Sequence, residues 1–549
     1  MVVVEERPWR SVRPRLARAA GAVRPRLARA TDALRPPLVR AAEAVRPRLS
    51  GAARAAGPRV ARFARAASPH LARITGPKTW QYTAGAATAG LALTVGVVTA
   101  AGPWDSTGQR TAERDRAVAQ RHTGGADHGT ESGTAGAPRP APSAGSVLAG
   151  LDTAPDSGRS TTGLAGVLDP LLDDASLGDR HAASVVDLTT GKRLYGTGVG
   201  AAFTPASTTK IATAVAALSA LGPDHRLTTR TAYEGDTGEL VLVGGGDPTL
   251  TAGKGLKGSA DLRTLAAKTA KALKKNHVRE VTLSYDTTLY AGSGKHPIGV
   301  NDNLADITAL MVDEARTDGS SSGPAPRESD PAAAAARTFA ALLEKRGIET
   351  TPPGPSKATG RADTLATVSS PPLSSLVERM LTNSDNDLAE ALARHTAVAS
   401  GKRADFKGAG AAVTARLKKL GLTVKGADFH DGSGLDRADR LTADLLTDLL
   451  VTAADPDHPE LRSVLTGLPV AGFTGTLSSR YADDTDGAAG LVRAKTGTLT
   501  GVNTLAGTVV TRDGGLLGFA FLADGTTDPQ AAQSALDAMA SALADCGCH

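Results

Sequence analysis

Apolar residues follow three rhythms along this chain of 549 residues. From about Val147 onward they keep the short periods of a globular fold. In AASVVDLTTGKRLYG, Ala182 to Gly196, two β-rich runs flank Thr190-Gly191 and predict a β-hairpin. FTPASTTKIATAVAAL, Phe203 to Leu218, reads as an apolar helix opening just after Pro205 and ending at Leu221-Gly222-Pro223. VNTLAGTVVT (Val502 to Thr511) and GLLGFAFLAD (Gly515 to Asp524) flank an Arg-Asp-Gly turn and predict adjacent antiparallel strands. DPQAAQSALDAMASALA closes the region as a helix, with Asp528 as cap and Pro529 at its first position. An antiparallel sheet therefore takes strands from both ends of the region and is covered by helices, an α+β arrangement. The stretch between them, with strand signals ELVLVGGG and EVTLSYD and the helix PAAAAARTFAALLEKRG, reads as an insertion.

The second rhythm is an unbroken run. No residue from Thr79 to Trp104 is charged, and the 20 residues Thr83 to Gly102 are apolar or small. As a helix they reach about 30 Å, the thickness of a bilayer core. Trp80, Tyr82 and Trp104 stand at the two ends, where amphipathic rings favour the interface. A single membrane-spanning helix is expected. A signal sequence cut near VVTAAG is the alternative, opposed by the 78 residues that precede the run.

The third rhythm is a repeat. Prolines fall at 14, 25, 36, 47, 58 and 69, with Leu16, Leu27, Leu38, Leu49, Val60 and Leu71 two places after each. Units such as VRPRLARAAGA predict short Ala/Arg helices, each beginning at its proline.

Charge sharpens this division. Residues 1–78 carry 18 Arg and Lys against 4 Asp and Glu, 18 − 4 = +14, so with +6 overall the remainder carries 6 − 14 = −8. Positive charge before the uncharged run places the N-terminus in the cytoplasm and the globular region outside the cell membrane. The basic arm suits anionic lipid head groups or nucleic acid, or serves as a tail that only sets topology; nothing in it reads a nucleic-acid sequence, so no specific nucleic-acid binding is expected. Residues 105–146, rich in Gly, Ser, Thr, Ala and Pro, form a flexible spacer. Aromatics make up only 3%, so the core is built from Val, Leu, Ile and Ala. Cys546 and Cys548 stand in the C-terminal CGCH, read as a solvated tail. The expected organisation is a basic arm (1–78), a membrane helix (79–104), a linker (105–146), two parts of one globular domain (147–227 and 366–545), and inserted domain material between them (228–365).

Ser207 and Lys210 stand three apart at the mouth of the apolar helix, so they share a face. In a first turn the free backbone N–H groups and the dipole favour negative charge. A lysine kept from water beside Ile211, Ala214 and Val215 has a lowered pKa and can take the serine proton. Alone the pattern is weak: it also describes a capping serine and a solvated lysine. Two further patterns change that. Ser384-Asp385-Asn386 occurs once, ahead of the helix DLAEALARH, and Lys495-Thr496-Gly497 occurs once, on the strand GLVRAKTGTLTG. In this order the three form the motif set of serine β-lactamases and penicillin-binding proteins.

With PASTTK, LTNSDNDLAE and AKTGTLTGVNTLAG, the chain from about 147 to 545 resembles the penicillin-binding serine D-Ala-D-Ala peptidases. More narrowly it resembles the low-molecular-mass class C carboxypeptidase/endopeptidase family (S13). GGGDPTL and DGSGLDRADRLT agree with that family, and the 384 − 207 = 177 residues between the first two motifs match its inserted domains. The resemblance implies a β-lactamase/transpeptidase-like fold and hydrolysis of peptidoglycan stem peptides, with β-lactam antibiotics as ligands. It implies Ser207 as nucleophile and Lys210 as base. Ser384 would relay the proton to the leaving D-alanine, and Asn386 would hold the substrate amide and orient Lys210. Lys495, Thr496 and Thr498, with Gly497 between them, would face the substrate carboxylate. The N–H groups of Ser207 and Thr498 would form the oxyanion hole. No cofactor or metal is expected. Asp302 and Asp306 are candidates for contacting a free amine on the stem peptide, and also read as solvated loop carboxylates. GGGDPTL and DGSGLD read as structural turns. Two other readings stay open: a β-lactamase or related serine hydrolase of the same fold, and a non-catalytic wall-binding membrane protein.

Overall fold

Alternation decides the sheet that carries the site, and the computed structural model shows it over the residues it describes, 161–253, 258–481 and 487–546. The basic arm, the uncharged run and the spacer lie outside these residues. Among the described residues no helix is long and apolar enough to cross a membrane.

In chain order the elements begin with α1 (Thr161–Leu172), β1 (Arg180–Asp187), β2 (Arg193–Thr197) and α2 (Thr209–Leu221). Then come β3 (Thr228–Glu234), β4 (Glu239–Val243), α3 (Leu262–Lys275), β5 (Glu280–Asp286), α4 (Pro331–Glu344), β6 (Glu349–Thr350), β7 (Gly354–Pro355) and β8 (Asp363–Ser369). Helices α5 (Leu373–Asn383), α6 (Asn386–Ala399), α7 (Phe406–Lys419), α8 (Ala443–Ala454) and α9 (Arg462–Thr466) follow. The chain closes with β9 (Val492–Leu499), β10 (Val502–Val510), β11 (Leu516–Asp524) and α10 (Pro529–Asp545).

The first sheet runs β2-β1-β11-β10-β9, with every neighbour antiparallel. It joins strands from both ends of the region, as the sequence predicts. Its central strands are buried on both faces. Ala182, Val186, Ala506, Ala520 and Leu522 point into a core with α2, α5, α6 and α8. Their neighbours Ala183, Val185, Leu505, Phe519 and Phe521 point into a second core with α1 and α10. That is the period of two of a strand sandwiched between helical layers. Helix α2 is buried from Thr209 to Leu218, which its run of alanines permits by keeping the helix slim. Asp528 caps α10, its Oδ1 accepting from the Gln530 and Ala531 N–H groups at 2.9 and 3.1 Å. Cys546, just past this helix, is disulfide-bonded and half-buried, where the sequence reading left a solvated tail.

A second sheet, β6-β5-β4-β3-β8 with β7 also on β5, takes its strands from the chain between α2 and α5. It is mixed. Strand β3 is antiparallel to β4 and β8, while β4 and β5 are parallel, joined through the crossover helix α3. Helices α3 and α4 pack on it through Leu265, Leu273, Phe339 and Leu343. The glycines of GGGDPTL, just after β4, let other backbone close on them: a Cβ on Gly245 would lie 2.0 Å from the Thr228 carbonyl oxygen.

Candidate active site

Ser207 lies in the short 3-10 turn Ala206–Thr208 that leads into α2. Ala206 has a φ of 48°, a conformation that a Cβ disfavours. Its neighbours hold it there. The Pro205 carbonyl accepts from Thr208 Oγ1 at 2.7 Å and from Thr504 Oγ1 of β10 at 2.9 Å. Two glycines let other segments close on the turn. A Cβ on Gly434 would lie 1.8 Å from the Ala206 oxygen, and one on Gly497 would lie 2.8 Å from the Pro205 oxygen. The KTG strand thus lies against the serine turn.

Lys210, the second residue of α2, has no exposed surface. Its Nζ donates to Ser207 Oγ at 3.1 Å, to Asn386 Oδ1 at 2.7 Å and to the Ser433 carbonyl at 2.7 Å. In the neutral amine two protons serve Asn386 and Ser433, and the lone pair is left for the Ser207 hydroxyl. Burial pulls the Lys210 pKa down from 10.5 to about 8, against the raising effect of Asp431, Glu390, Asp385 and Asp439.

The second motif sits where α5 meets α6. Ser384 ends α5 in a left-handed turn (φ 56°, ψ 41°), and Asp385 caps α6 by accepting from Leu388 N at 3.0 Å. Asn386, first in α6, points its oxygen to Lys210 and donates through Nδ2 to the Asn303 carbonyl at 2.9 Å. Below it lies a buried ionic group. Asp385 and Glu314 both pair with Arg379, Glu314 also with Arg316, and Asp387 pairs with Arg327 at 2.8 Å.

On β9, Lys495 is fully buried and donates to its neighbour's carbonyl, Thr496 O, at 2.8 Å. Burial first, then the charges of Lys210 and Arg480, hold its pKa well below that of an ordinary lysine. Thr496 Oγ1 donates to Thr476 Oγ1 at 2.9 Å. Thr498 is exposed and pairs across the sheet with Asn503.

The three motifs therefore converge: Ser207, Lys210 and Asn386 by direct hydrogen bonds, and Lys495 and Gly497 against the lysine and the serine turn. Of the two loop carboxylates, Asp302 is exposed and Asp306 half-buried. It is the main chain between them, at Asn303, that reaches the site.

The segment read as the turn DGSGLD does more than turn. Asp431 accepts from the N–H groups of Ser433 (3.0 Å), Gly434 (2.6 Å) and Asp436 (2.8 Å), from Ser433 Oγ (3.0 Å) and from the His296 ring (2.9 Å). Glu390 Oε1 accepts from Gly432 and Ser433 N–H, and its Oε2 from Arg394. These bonds aim the Ser433 carbonyl at Lys210. His296, Glu390 and Asp431 bring possible ligand atoms within 4.8 Å of one another, as do Glu314, Asp385 and Asp387. In both groups protein N–H and O–H donors or arginines already engage the carboxylates.

A serine at a helix mouth, bonded to a buried lysine of near-neutral pKa on the edge of an α/β/α sandwich, defines a serine acyl-transfer enzyme. A sequence profile of the D-Ala-D-Ala carboxypeptidase 3 (S13) family matches residues 164–325 and 319–546. The chain is 37% identical to carboxypeptidase DacB of Mycolicibacterium smegmatis over 70% of its own length and 85% of that protein's. It is 36% identical to a carboxypeptidase of Mycobacterium tuberculosis over 75% and 90% of the two lengths. Penicillin binding protein 4 of Haemophilus influenzae shares its fold, with a TM-score of 0.57 at 22% identity over 68% of this chain and 98% of that one. The chain belongs to the D-Ala-D-Ala carboxypeptidase 3 (S13) family.

Proposed function

We propose that this protein is a serine D-Ala-D-Ala carboxypeptidase that trims peptidoglycan stem peptides through an acyl-enzyme on Ser207. The observation that carries this reading is Lys210 Nζ, fully buried and 3.1 Å from Ser207 Oγ. Neutral Lys210 takes the Ser207 proton as Oγ attacks the carbonyl carbon of the penultimate D-alanine. The oxyanion is met by the N–H groups of Ser207 and Thr498. Asn386 holds the amide carbonyl of the substrate. As the C–N bond breaks, Ser384 passes a proton to the departing amine and is resupplied from Lys210. Lys495, Thr496 and Thr498 receive the terminal carboxylate, whose charge restores the proton that the empty site denies Lys495. Water then attacks the ester, Lys210 takes its proton, and Ser207 leaves as the hydroxyl.

The same acylation accepts β-lactams, whose strained amide takes the place of the peptide bond. A D-Ala bond within a cross-link presents the same carbonyl, so endopeptidase cleavage belongs to this reading. We extend the proposal to location. The uncharged run 83–102 anchors the protein with its arm in the cytoplasm on anionic lipid, and the 105–146 spacer holds the catalytic region on the wall side. The charge division of the sequence supports this.

The test incubates the full chain with a diacetyl-Lys-D-Ala-D-Ala peptide and measures free D-alanine. Release lost in Ser207→Ala and Lys210→Ala supports the reading, and release that survives both removes it. Partition with membranes, and protection of the arm from external protease, tests the location.

A further inference from the structure

The catalytic lysine is held by two acceptors besides Ser207, and a segment outside the three motifs reaches both. Asn303 O fixes Asn386, and His296 reaches Asp431, the centre of the turn that presents Ser433. His296 is 5% exposed, its ring packed edge-on against Phe406 at 5.3 Å between centroids. Its two nitrogens have different partners. Nδ1 lies 3.2 Å from the Ile298 N–H, which makes it an acceptor and leaves the proton on Nε2, 2.9 Å from Asp431 Oδ2.

We infer that His296 is a positioning residue of the acylation step: its Nε2–H fixes the Asp431 carboxylate, and Asp431 folds the chain so that the Ser433 carbonyl meets Lys210. The inference rests on Lys210 being the base of Ser207.

The surrounding charges give its consequence a sign. Lys210 feels Asp431, Glu390, Asp385 and Asp439 as raising influences, Asp431 the strongest. Glu390 is paired with Arg394. Burial and the charge of Asp431 lift the Asp439 pKa to about 10, so Asp439 is protonated at neutral pH. The Asp431 carboxyl is held below the usual range, its bonds to His296 and the turn outweighing the effect of burial. Asp436 and Glu390 also face His296, and Lys495 faces Lys210. Asp431 is thus the main negative charge that His296 moderates on behalf of Lys210. Removing the donor leaves that charge less satisfied, Lys210 keeps its proton to higher pH, and the base is lost at neutral pH.

The experiment measures the rate of acylation of the full chain by a fluorescent penicillin between pH 6 and 9.5, for wild type, His296→Phe and His296→Gln. Phenylalanine keeps the ring against Phe406 and removes both nitrogens; glutamine keeps a neutral N–H donor. In His296→Phe the expected result is at least a tenfold loss at pH 7 and an upward move of the acid limb on the order of one pH unit. His296→Gln should stay within about threefold of wild type, with the limb unmoved. A His296→Phe protein whose limb stays in place overturns the inference, because a merely structural role lowers amplitude without moving the limb. If His296→Phe does not fold, nitrogen spectra of histidine-labelled wild type decide. At pH 8 an Nε2–H imidazole with a proton slow to exchange is required, and its absence overturns the inference. Lys210→Ala separates the two levels. If that variant still acylates, the base assignment fails; if it is dead while the His296 variants match wild type, only the role of His296 fails.

Discussion

On the proposed mechanism acylation of Ser207 titrates with Lys210, and the burial of that lysine sets the expected midpoint. Burial brings this lysine from 10.5 to about 8. Only the neutral amine accepts the serine proton, so activity is present above that pKa and is lost as pH falls through it. Roughly a tenth of the molecules hold neutral Lys210 at pH 7, and roughly nine-tenths at pH 9. The second-order rate of acylation by a fluorescent penicillin should therefore rise about tenfold between pH 7 and pH 9, half-maximal near 8, and then level. Stopped-flow or gel fluorescence on the full chain, with the antibiotic's own hydrolysis subtracted, measures it. A lysine at its ordinary pKa would give a rate still climbing tenfold per unit at pH 9. That result, or a flat profile from 7 to 9, would refute the claim that burial activates Lys210. Stability follows the same proton. Between about 8 and 10.5 the unfolded chain binds a proton that folded Lys210 lacks. Raising the pH through that window therefore stabilises the fold, by about 3 kcal/mol at most.

Three substitutions test other parts of the site and fold. Gly434→Ala places a Cβ 1.8 Å from the Ala206 oxygen at a φ of +81°; it should cost about 1–3 kcal/mol by thermal unfolding and slow acylation at least tenfold as the serine turn shifts. Lys495→Ala removes the group proposed to receive the substrate carboxylate; kcat/KM for the D-Ala-D-Ala peptide should fall roughly ten- to a hundredfold, with the melting temperature unchanged or raised, since a buried lysine is lost. Asp528→Ala removes the cap of α10 and should cost about 1 kcal/mol in denaturant unfolding while leaving acylation untouched.

Local patterns reveal one half of this molecule well. The β1–β2 hairpin, the β10–β11 pair and the Asp528 cap follow from residues that are neighbours in the chain. The motif set locates Ser207, Lys210, Asn386 and Lys495 because side-chain chemistry leaves a mark on residue identity. Main-chain acceptors leave none. Ser433 and Asn303 bring carbonyls to the site, and any residue carries a carbonyl. Asp431 sits in a segment that reads as a Gly-rich turn, and it is one; only the fold shows that the turn is wrapped on a carboxylate behind Lys210. Glu390 and Arg394 are spaced like an exposed helical ion pair, yet they are buried because α6 is covered by α2 and α7. The parallel pairing of β4 and β5 is long-range, and two short apolar runs do not state it.

The central claim is that Ser207 carries the acyl group. Full-length protein labelled with benzylpenicillin, digested and mapped by mass spectrometry, tests it most directly. The account predicts one penicilloyl adduct, on the peptide containing Ser207, absent from Ser207→Ala. An adduct on any other residue, or full labelling of the Ser207→Ala protein, would contradict it.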